Sequence, residues 1–431
     1  MMSHYRIRGP TTLSGTFVPA GNKNAALPIL TGCLLAEGPV HLSNVPDIQD
    51  VHTLLEMLEQ MGVRVEWTSK NDVTVDASRL ASPELDREMA RRIRASVLFA
   101  GPMLARFGAV DLPPPGGDVI GRRRLDTHFL ALRALGATVE VGDSYYLRAR
   151  SLEGADVFLV EPSVTATENA ILAAVTASGA TVLRNAASEP HVQDLCRFLN
   201  GLGANIRNVG ARDLQIEGVP SLSGGAHRIA PDHIEVGSAI GLAASTGSLL
   251  KIAEVRQEDF HPLRVGFQRL GVQMELREDV LEVKAGREVE VESDVGDQIP
   301  KIDDGPWPAF PADLTSIALV TATQCRGTVL IHEKMFESRM FFVDKVIAMG
   351  GRIVLCDPHR AVVVGPARLR GARLESPDIR AGMALLIAAL AAHGESRIYN
   401  TRQIERGYER IDARLRELGA DIERVEDSGR G

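Results

Sequence analysis

Cysteine, long apolar runs and basic excess are all scarce in this chain. The four cysteines, Cys33, Cys196, Cys325 and Cys356, are widely separated and show no CxxC or Cys/His ligand spacing. That excludes a disulfide-stapled scaffold and a cysteine-ligated metal centre. Cys33, Cys196 and Cys325 fall in helical patterns, where a free thiol reads as a small buried hydrophobe. The longest apolar run, Ala381 to Ala392, is well short of the ~20 residues that span a bilayer. Met1 to Pro10 lacks the charged, apolar and small-residue pattern of a secretory signal, so a soluble, cytoplasmic protein is expected, without membrane association. Lys and Arg number 48 against 56 Asp and Glu, a formal charge of −8. This argues against a general nucleic-acid surface, and any anion site has to be a local basic cluster.

What is present is a full complement of core-forming residues, 45% hydrophobic and 24% charged. At about 100–200 residues per domain, 431 residues predict two or three domains. Glycine is in surplus, 40 residues, and resolves into a repeat. Met61-Gly62-Val63, Leu135-Gly136-Ala137, Leu202-Gly203-Ala204, Leu270-Gly271-Val272, Met349-Gly350-Gly351 and Leu418-Gly419-Ala420 recur at central spacings of 74, 67, 68, 79 and 69. A second series, Gly38, Gly108, Gly179, Gly247, Gly327 and Gly394, keeps step with them. In Val51 to Met61 the apolar residues follow an amphipathic helix, Gly62 supplies a left-handed cap, and Val63, Val65 and Trp67 alternate as a strand. The other helix of each unit, as in Ile171–Ala177 or Ala381–Ala392, is apolar on nearly all faces and is therefore an interior helix. Six such units group as three per domain, with joins near Pro19 to Asn22 and near Ala230-Pro231 and a ligand site expected between the lobes.

The candidate chemistry lies in local clusters. Gly21-Asn22-Lys23-Asn24 opens an interior helix, where backbone N–H groups attract anions; a cap followed by a solvated Lys is the plainer reading. Pro113 to Asp126 is a Pro- and Gly-rich connection that sets Asp118 beside Arg122, Arg123 and Arg124. Such a loop suits a bidentate grip on phosphate or carboxylate with Asp118 as acid or base, and equally a solvated surface loop. Arg94, Arg339, Arg380 and Arg406 fall at comparable places in other units. Asp313, in Pro311-Ala312-Asp313, precedes another interior helix and by itself reads as an N-cap.

Gly21-Asn22-Lys23-Asn24-Ala25-Ala26-Leu27-Pro28, Arg94-Ala95-Ser96, the Pro-Gly-Gly loop, Ala309-Phe310-Pro311-Ala312-Asp313, Phe336-Glu337-Ser338-Arg339 and Arg406-Gly407-Tyr408-Glu409-Arg410 occur in order. Together they resemble the enolpyruvyl transferase superfamily, and within it the UDP-N-acetylglucosamine 1-carboxyvinyltransferases, from about Tyr5 to Val425. The resemblance implies a two-domain inverse α/β barrel of six folding units. The domains would be residues 23–229, with the loop 113–126, and residues 1–22 plus 230–431, with the active site in the cleft between them. It implies transfer of the enolpyruvyl group of phosphoenolpyruvate to the 3-hydroxyl of UDP-N-acetylglucosamine with release of phosphate, the first committed step of peptidoglycan synthesis, without metal or cofactor. Lys23, Arg94, Arg123 and Arg406 would hold phosphoenolpyruvate, with Arg339 and Arg380 completing the basic site. Asn24 and Asp313 would contact the sugar, Asp313 as base. Ser163, Val164 and Thr165 would meet the diphosphate, and Arg123, Leu125 and Asp126 the uridine, with Met335 also in contact with substrate.

Three segments depart from the family pattern. Asp118 stands where most members carry a cysteine that acts as general acid and is alkylated by fosfomycin; a carboxylic acid can transfer the proton but cannot form the thioether, so a fosfomycin-resistant enzyme is expected. The family's Arg-Pro-Val-Asp-Leu becomes Arg123-Arg124-Leu125-Asp126-Thr127, and Ser-Val-Gly becomes Ser163-Val164-Thr165. These changes leave open a different acceptor, shikimate 3-phosphate or another nucleotide, and a non-catalytic UDP-sugar-binding paralogue. RNA 3′-phosphate cyclases share the folding unit but need a catalytic His, and no His is singled out here.

Overall fold

A computed structural model of the chain describes residues 3–80, 84–117, 121, 123–284 and 289–426. Among the described residues the repeat becomes six small sheets, five of four strands and one of three. One unit shows the plan. Strand Asp156–Phe158 runs parallel to Ala180–Arg184, and parallel neighbours need a crossover, supplied here by the interior helix Val164–Ala174. Ala180–Arg184 then pairs antiparallel with Leu214–Glu217, which pairs antiparallel with Asn205–Arg207, and the amphipathic helix Pro190–Gly201 connects the second strand to this hairpin. In the three-stranded sheet the described residues place one parallel bridge, between Glu84 and Asp111, where the other sheets have their parallel partner.

The last unit borrows its middle strand. Ser3–Gly9 lies between Gly394–Tyr399 and Asp421–Glu426, antiparallel to both. Ser14–Phe17 likewise runs parallel to Leu249–Ile252, and Gly225–Arg228 returns to lie parallel to Val40–Ser43. The chain thus forms two compact units, residues 3–20 with 231–426 and residues 21–117 with 123–230, each with its own hydrophobic core.

In the first of these units the helices His233–Thr246, Thr315–Ala322 and Ile379–Ala391 pack on one another, which is why they are apolar on every face. Gly241 permits the approach: a Cβ there would lie 2.4 Å from Ile317 Cγ2. The six helix-ending glycines, Gly62, Gly136, Gly203, Gly271, Gly350 and Gly419, all take φ between +81° and +106°, the left-handed cap the repeat predicts. In the second series Gly38 is the exception. Its helix tightens into the 3₁₀ turn Cys33–Leu35 and leaves helical geometry at Ala36, so no left-handed residue is needed two positions later. Cys33, Cys196 and Cys325 are buried and Cys356 is exposed. Cys325 follows the helix Thr315–Ala322 rather than lying in it, and burial pushes its thiol and that of Cys196 up to about 12. Among the described residues no helix is long and apolar enough to cross a membrane.

Candidate active site

In the 21–230 unit, Asn22 caps the helix Lys23–Gly32, its side chain accepting from the backbone N–H of Asn24 at 2.9 Å and of Ala25 at 3.3 Å. Lys23 is not a solvated residue behind that cap. It is buried, and its Nζ lies 2.7 Å from Oδ2 of Asp50, in the first turn of helix Gln49–Gln60 and also buried. Removing either partner of such a pair costs about 3–5 kcal/mol, because the other is left uncompensated.

Arg94 opens the 3₁₀ turn Arg94–Phe99 and donates from Nη2 to the Arg123 carbonyl at 2.8 Å. Burial and then the like charge of Arg123 lower the Arg94 pKa to about 10, so two guanidiniums are held together still charged at neutral pH. An anion between them relieves that repulsion. The glycines of the Pro-Gly-Gly loop have a mechanical reason. Gly116 N–H donates to the Ala90 carbonyl at 3.3 Å, and a Cβ on Gly116 would fall 1.6 Å from the Arg91 carbonyl oxygen. At Gly117, φ +103°, a Cβ would lie 2.8 Å from Arg94 Cβ, so the root of the loop lies directly on the Arg91 to Arg94 backbone. Asp118, the candidate general acid, lies outside the described residues, as does Arg122.

Leu125 is buried, whereas Asp126 is exposed and bound through both oxygens by Arg124 at 2.8 Å. The unexpected Arg124 therefore neutralises the neighbouring carboxylate. Ser163 precedes the helix Val164–Ala174, an eleven-residue helix whose N-terminus attracts anions. The added side chain at Thr165 is engaged, its Oγ1 lying 3.1 Å from His128 Nε2. The Asn169 side-chain oxygen accepts from Gly101 N–H at 2.8 Å, and its amide nitrogen donates to the Val97 carbonyl at 2.8 Å and to His128 Nδ1 at 3.0 Å. Nδ1 is then the acceptor, Nε2 carries the proton, and Thr165 accepts from it with its own O–H free to turn outward.

Burial, and after it the Arg94 charge, depress His128 to about 3. As pH falls through 6.5 the unfolded chain gains a proton that the folded chain refuses, so this histidine costs stability in acid. The unfolding free-energy gap between wild type and His128→Gln is expected to shrink by about 1.6 kcal/mol from pH 6.5 to pH 5, read from urea titrations.

In the 231–426 unit, Asp313 is not the helix cap. A 3₁₀ turn, Ala312–Leu314, intervenes before helix Thr315–Ala322, no side-chain capping bond forms, and the carboxylate turns to two arginines instead. Oδ1 accepts from Arg339 Nη2, and Oδ2 accepts from Arg380 Nε at 3.0 Å. Both guanidiniums are buried while Asp313 keeps a quarter of its side chain exposed. Burial is the largest effect and opposes the charge on Arg339 and Arg380, but Asp313 together with the other acidic groups around them leaves both pKa values raised. Arg380 sits in the first turn of helix Ile379–Ala391, where the dipole disfavours a cation. Asp378 caps that helix through the N–H groups of Arg380 and Ala381, and the Tyr408 ring lies 5.3 Å from the Arg380 guanidinium. Arg406 follows the helix Thr401–Glu405 and donates to Gln403 Oε1 at 2.8 Å; Met335 is partly exposed. Beside this cluster burial lowers His233 to about 3, so it stays neutral, and burial also raises the Asp232 carboxyl above its usual range.

Sequence reasoning missed Asp50, His128 and Asn169. Asp50 reads as an ordinary first-turn acid of an amphipathic helix, and only its position on the buried face marks it. Glu168, a carboxyl in the otherwise apolar helix Val164–Ala174, was the plainest anomaly; burial and then Glu189 raise its pKa well above the usual range.

The six-unit fold and a carboxylate gripped by buried arginines define an enolpyruvyl transferase-like protein, and the comparisons agree. The chain belongs to the EPSP synthase (3-phosphoshikimate 1-carboxyvinyltransferase) family, whose profile matches residues 7–424. Its fold superposes on the enolpyruvyl transferase NikO from Streptomyces tendae with a TM-score of 0.88 at 24% identity, covering 98% of this chain and 99% of that one. EPSP synthase from Acinetobacter baumannii gives 0.75 at 16% identity, covering 99% and 100%. Within that class the chain belongs with the UDP-N-acetylglucosamine 1-carboxyvinyltransferases, a family of enzymes. It is 58% identical over 421 residues to the one from Bradyrhizobium diazoefficiens, 98% of each chain, and 55% identical over 422 residues to that from Treponema denticola, 98% of this chain and 99% of the other.

Proposed function

We propose that this chain transfers the enolpyruvyl group of phosphoenolpyruvate to the sugar 3-hydroxyl of UDP-N-acetylglucosamine, releasing inorganic phosphate, in the cytoplasmic phase of peptidoglycan synthesis. The observation that carries the reading is Asp313 set between Arg339 and Arg380, a base whose surroundings are cationic. Asp313 takes the proton of the attacking hydroxyl, and Asn24 holds the sugar. Lys23, Arg94, Arg123 and Arg406 take the phosphate and carboxylate of phosphoenolpyruvate, assisted by Arg339 and Arg380. Ser163, Val164 and Thr165 meet the diphosphate, the Thr165 O–H turning to a phosphate oxygen while His128 holds its oxygen. Arg123, Leu125 and Asp126 lie along the uridine, and Met335 packs on the nucleotide. Asp118 protonates the methylene carbon as the new C–O bond forms, and loss of a proton from the same carbon then expels phosphate. Fixed cations orient two polyanionic substrates and stabilise charge as it develops, so binding and rate enhancement come from the same groups.

Phosphate release from phosphoenolpyruvate tests this with UDP-N-acetylglucosamine, shikimate 3-phosphate and UMP as separate acceptors. Turnover is expected with the first alone. The Arg124–Asp126 pair and Thr165 favour a second reading, transfer to a different nucleotide-linked acceptor, which turnover with UMP in place of the UDP-sugar would support. Binding of UDP-N-acetylglucosamine with no phosphate release from any mixture would leave a binding protein.

A further inference from the structure

Two buried carboxyl groups of the 231–426 unit lie outside the Arg339–Asp313–Arg380 contact and yet frame it. Asp304 is 1% exposed and Glu333 0%. Asp304 Oδ1 accepts from the N–H of Lys334, Asp304 Oδ2 from that of Met335 at 3.3 Å, and Glu333 Oε1 from that of Phe336 at 3.2 Å. Three successive amides at the head of the segment that runs to Arg339 are thus held by two acids. Asp304 also begins the other segment: its N–H donates to the His332 carbonyl at 3.3 Å, and the adjoining Gly305 donates to Phe310 at 3.2 Å on the way to Asp313. The two segments are therefore tied at one end by Asp304 and at the other by the ion pair of Asp313 with Arg339.

Glu333 Oε2 and Thr315 Oγ1 are buried and neither makes a well-formed hydrogen bond, although the Asp304 and Thr315 side chains lie within reach of the Glu333 carboxyl. A bare carboxylate oxygen there is costly, whereas a proton on it makes a donor beside an acceptor. We infer that Glu333 is a neutral carboxylic acid sharing its proton with Asp304, and that the pair is a positioning device that sets Arg339 against Asp313. Two adjacent buried carboxyls cannot both ionise cheaply. Burial, and then Asp304, raise Glu333 to about 9 against the opposing pull of Arg339. The remaining polar groups around it are His359, whose Nδ1 lies 2.8 Å from the Glu333 carbonyl, and Lys334, whose ammonium is taken by Asp303 at 2.7 Å. When Glu333 ionises it repels Asp304, the amide clamp loosens, and Arg339 loses its register with Asp313.

The kinetic half of the test rests on the proposed transfer reaction; the spectroscopic half does not. The infrared difference between the substrate-free wild type and Glu333→Gln is expected to show a buried protonated carboxyl at neutral pH, apart from that of Glu168, and this band disappears on alkaline titration. In wild type, kcat should fall about tenfold per pH unit above the Glu333 pKa, as for loss of a single proton. Glu333→Gln, neutral and still able to donate, should keep most of the neutral-pH kcat and lose that alkaline limb. Asp304→Asn, which puts an amide N–H against a backbone N–H, should lower kcat at every pH with the fold retained by circular dichroism. No protonated-carboxyl band, or the same alkaline limb in Glu333→Gln, overturns the inference. The band behaving as expected in a protein that releases no phosphate would uphold the shared proton and overturn the transfer reaction instead.

Discussion

Asp313→Asn is expected to lower phosphate release by about 10²–10⁴, the span of a lost general base. The substitution preserves shape and removes the charge, so it separates the base from the scaffold. It also strips the shared counter-ion from Arg339 and Arg380, whose side chains are 8% and 6% exposed, and a buried charge left without its partner costs about 3–5 kcal/mol. The urea midpoint should fall accordingly. The same loss frees two cations for ligand, and an anion that binds only the folded state stabilises it by mass action. Inorganic phosphate is therefore expected to raise the Tm of Asp313→Asn more than that of wild type. Wild-type turnover in the variant would remove Asp313 from the chemistry, and an equal phosphate response would show that Asp313 does not compete with the anion for these arginines.

The basic groups are held on carboxylates within an acidic chain, which reconciles a net charge of −8 with polyanionic substrates. Lys23 has Asp50, Arg339 and Arg380 share Asp313, and Arg124 has Asp126. Arg94 differs, packed against Arg123 with the desolvation and repulsion both lowering its pKa. An incoming anion there relieves that repulsion.

The architecture was legible because a glycine in the left-handed region is a backbone requirement, and a requirement repeated six times at about one spacing fixes the unit, as Gly62 to Gly419 show. Interior helices were legible from apolar residues on all faces, as in Ile379–Ala391. The borrowed strand Ser3–Gly9 has no local signature, since its partners lie some four hundred residues away in sequence. For the site, sequence pattern gave the cations but not their counter-ions. Asp50 and Glu333 are acids whose meaning comes entirely from burial, and burial is set by residues far along the chain. Asp313 illustrates the limit: helix-start position predicts a cap, and only the intervening 3₁₀ turn and the approach of Arg380 from 67 residues away make it an ion-pair centre.

Fosfomycin is expected to leave the wild-type enzyme fully active after prolonged incubation, whereas Asp118→Cys should be inactivated in proportion to time and dose. The reason is covalent chemistry: a thiolate opens the epoxide to a stable thioether, and the carboxyl at 118 offers no thiol. Asp118→Ala should lose about 10²–10⁴ in turnover, the usual range for a removed general acid. The two side chains also differ in when they hold their proton. An aspartic acid ordinarily titrates near ~3.9 and a cysteine near ~8.5, so Asp118 needs a raised pKa to protonate carbon at neutral pH, and Cys does not. The neighbouring sequence works against that rise. Arg122, Arg123 and Arg124 follow within six residues, and a guanidinium beside a carboxyl favours the ionised acid. Water exclusion as substrates bind is the remaining way to raise it, because desolvation disfavours the charged form. The descending limb of kcat/KM against pH should therefore begin lower in wild type than in Asp118→Cys, and replacing Asp by Cys should move it upward. A limb at the same pH in both proteins, or wild-type inactivation by fosfomycin, would exclude Asp118 as the acid.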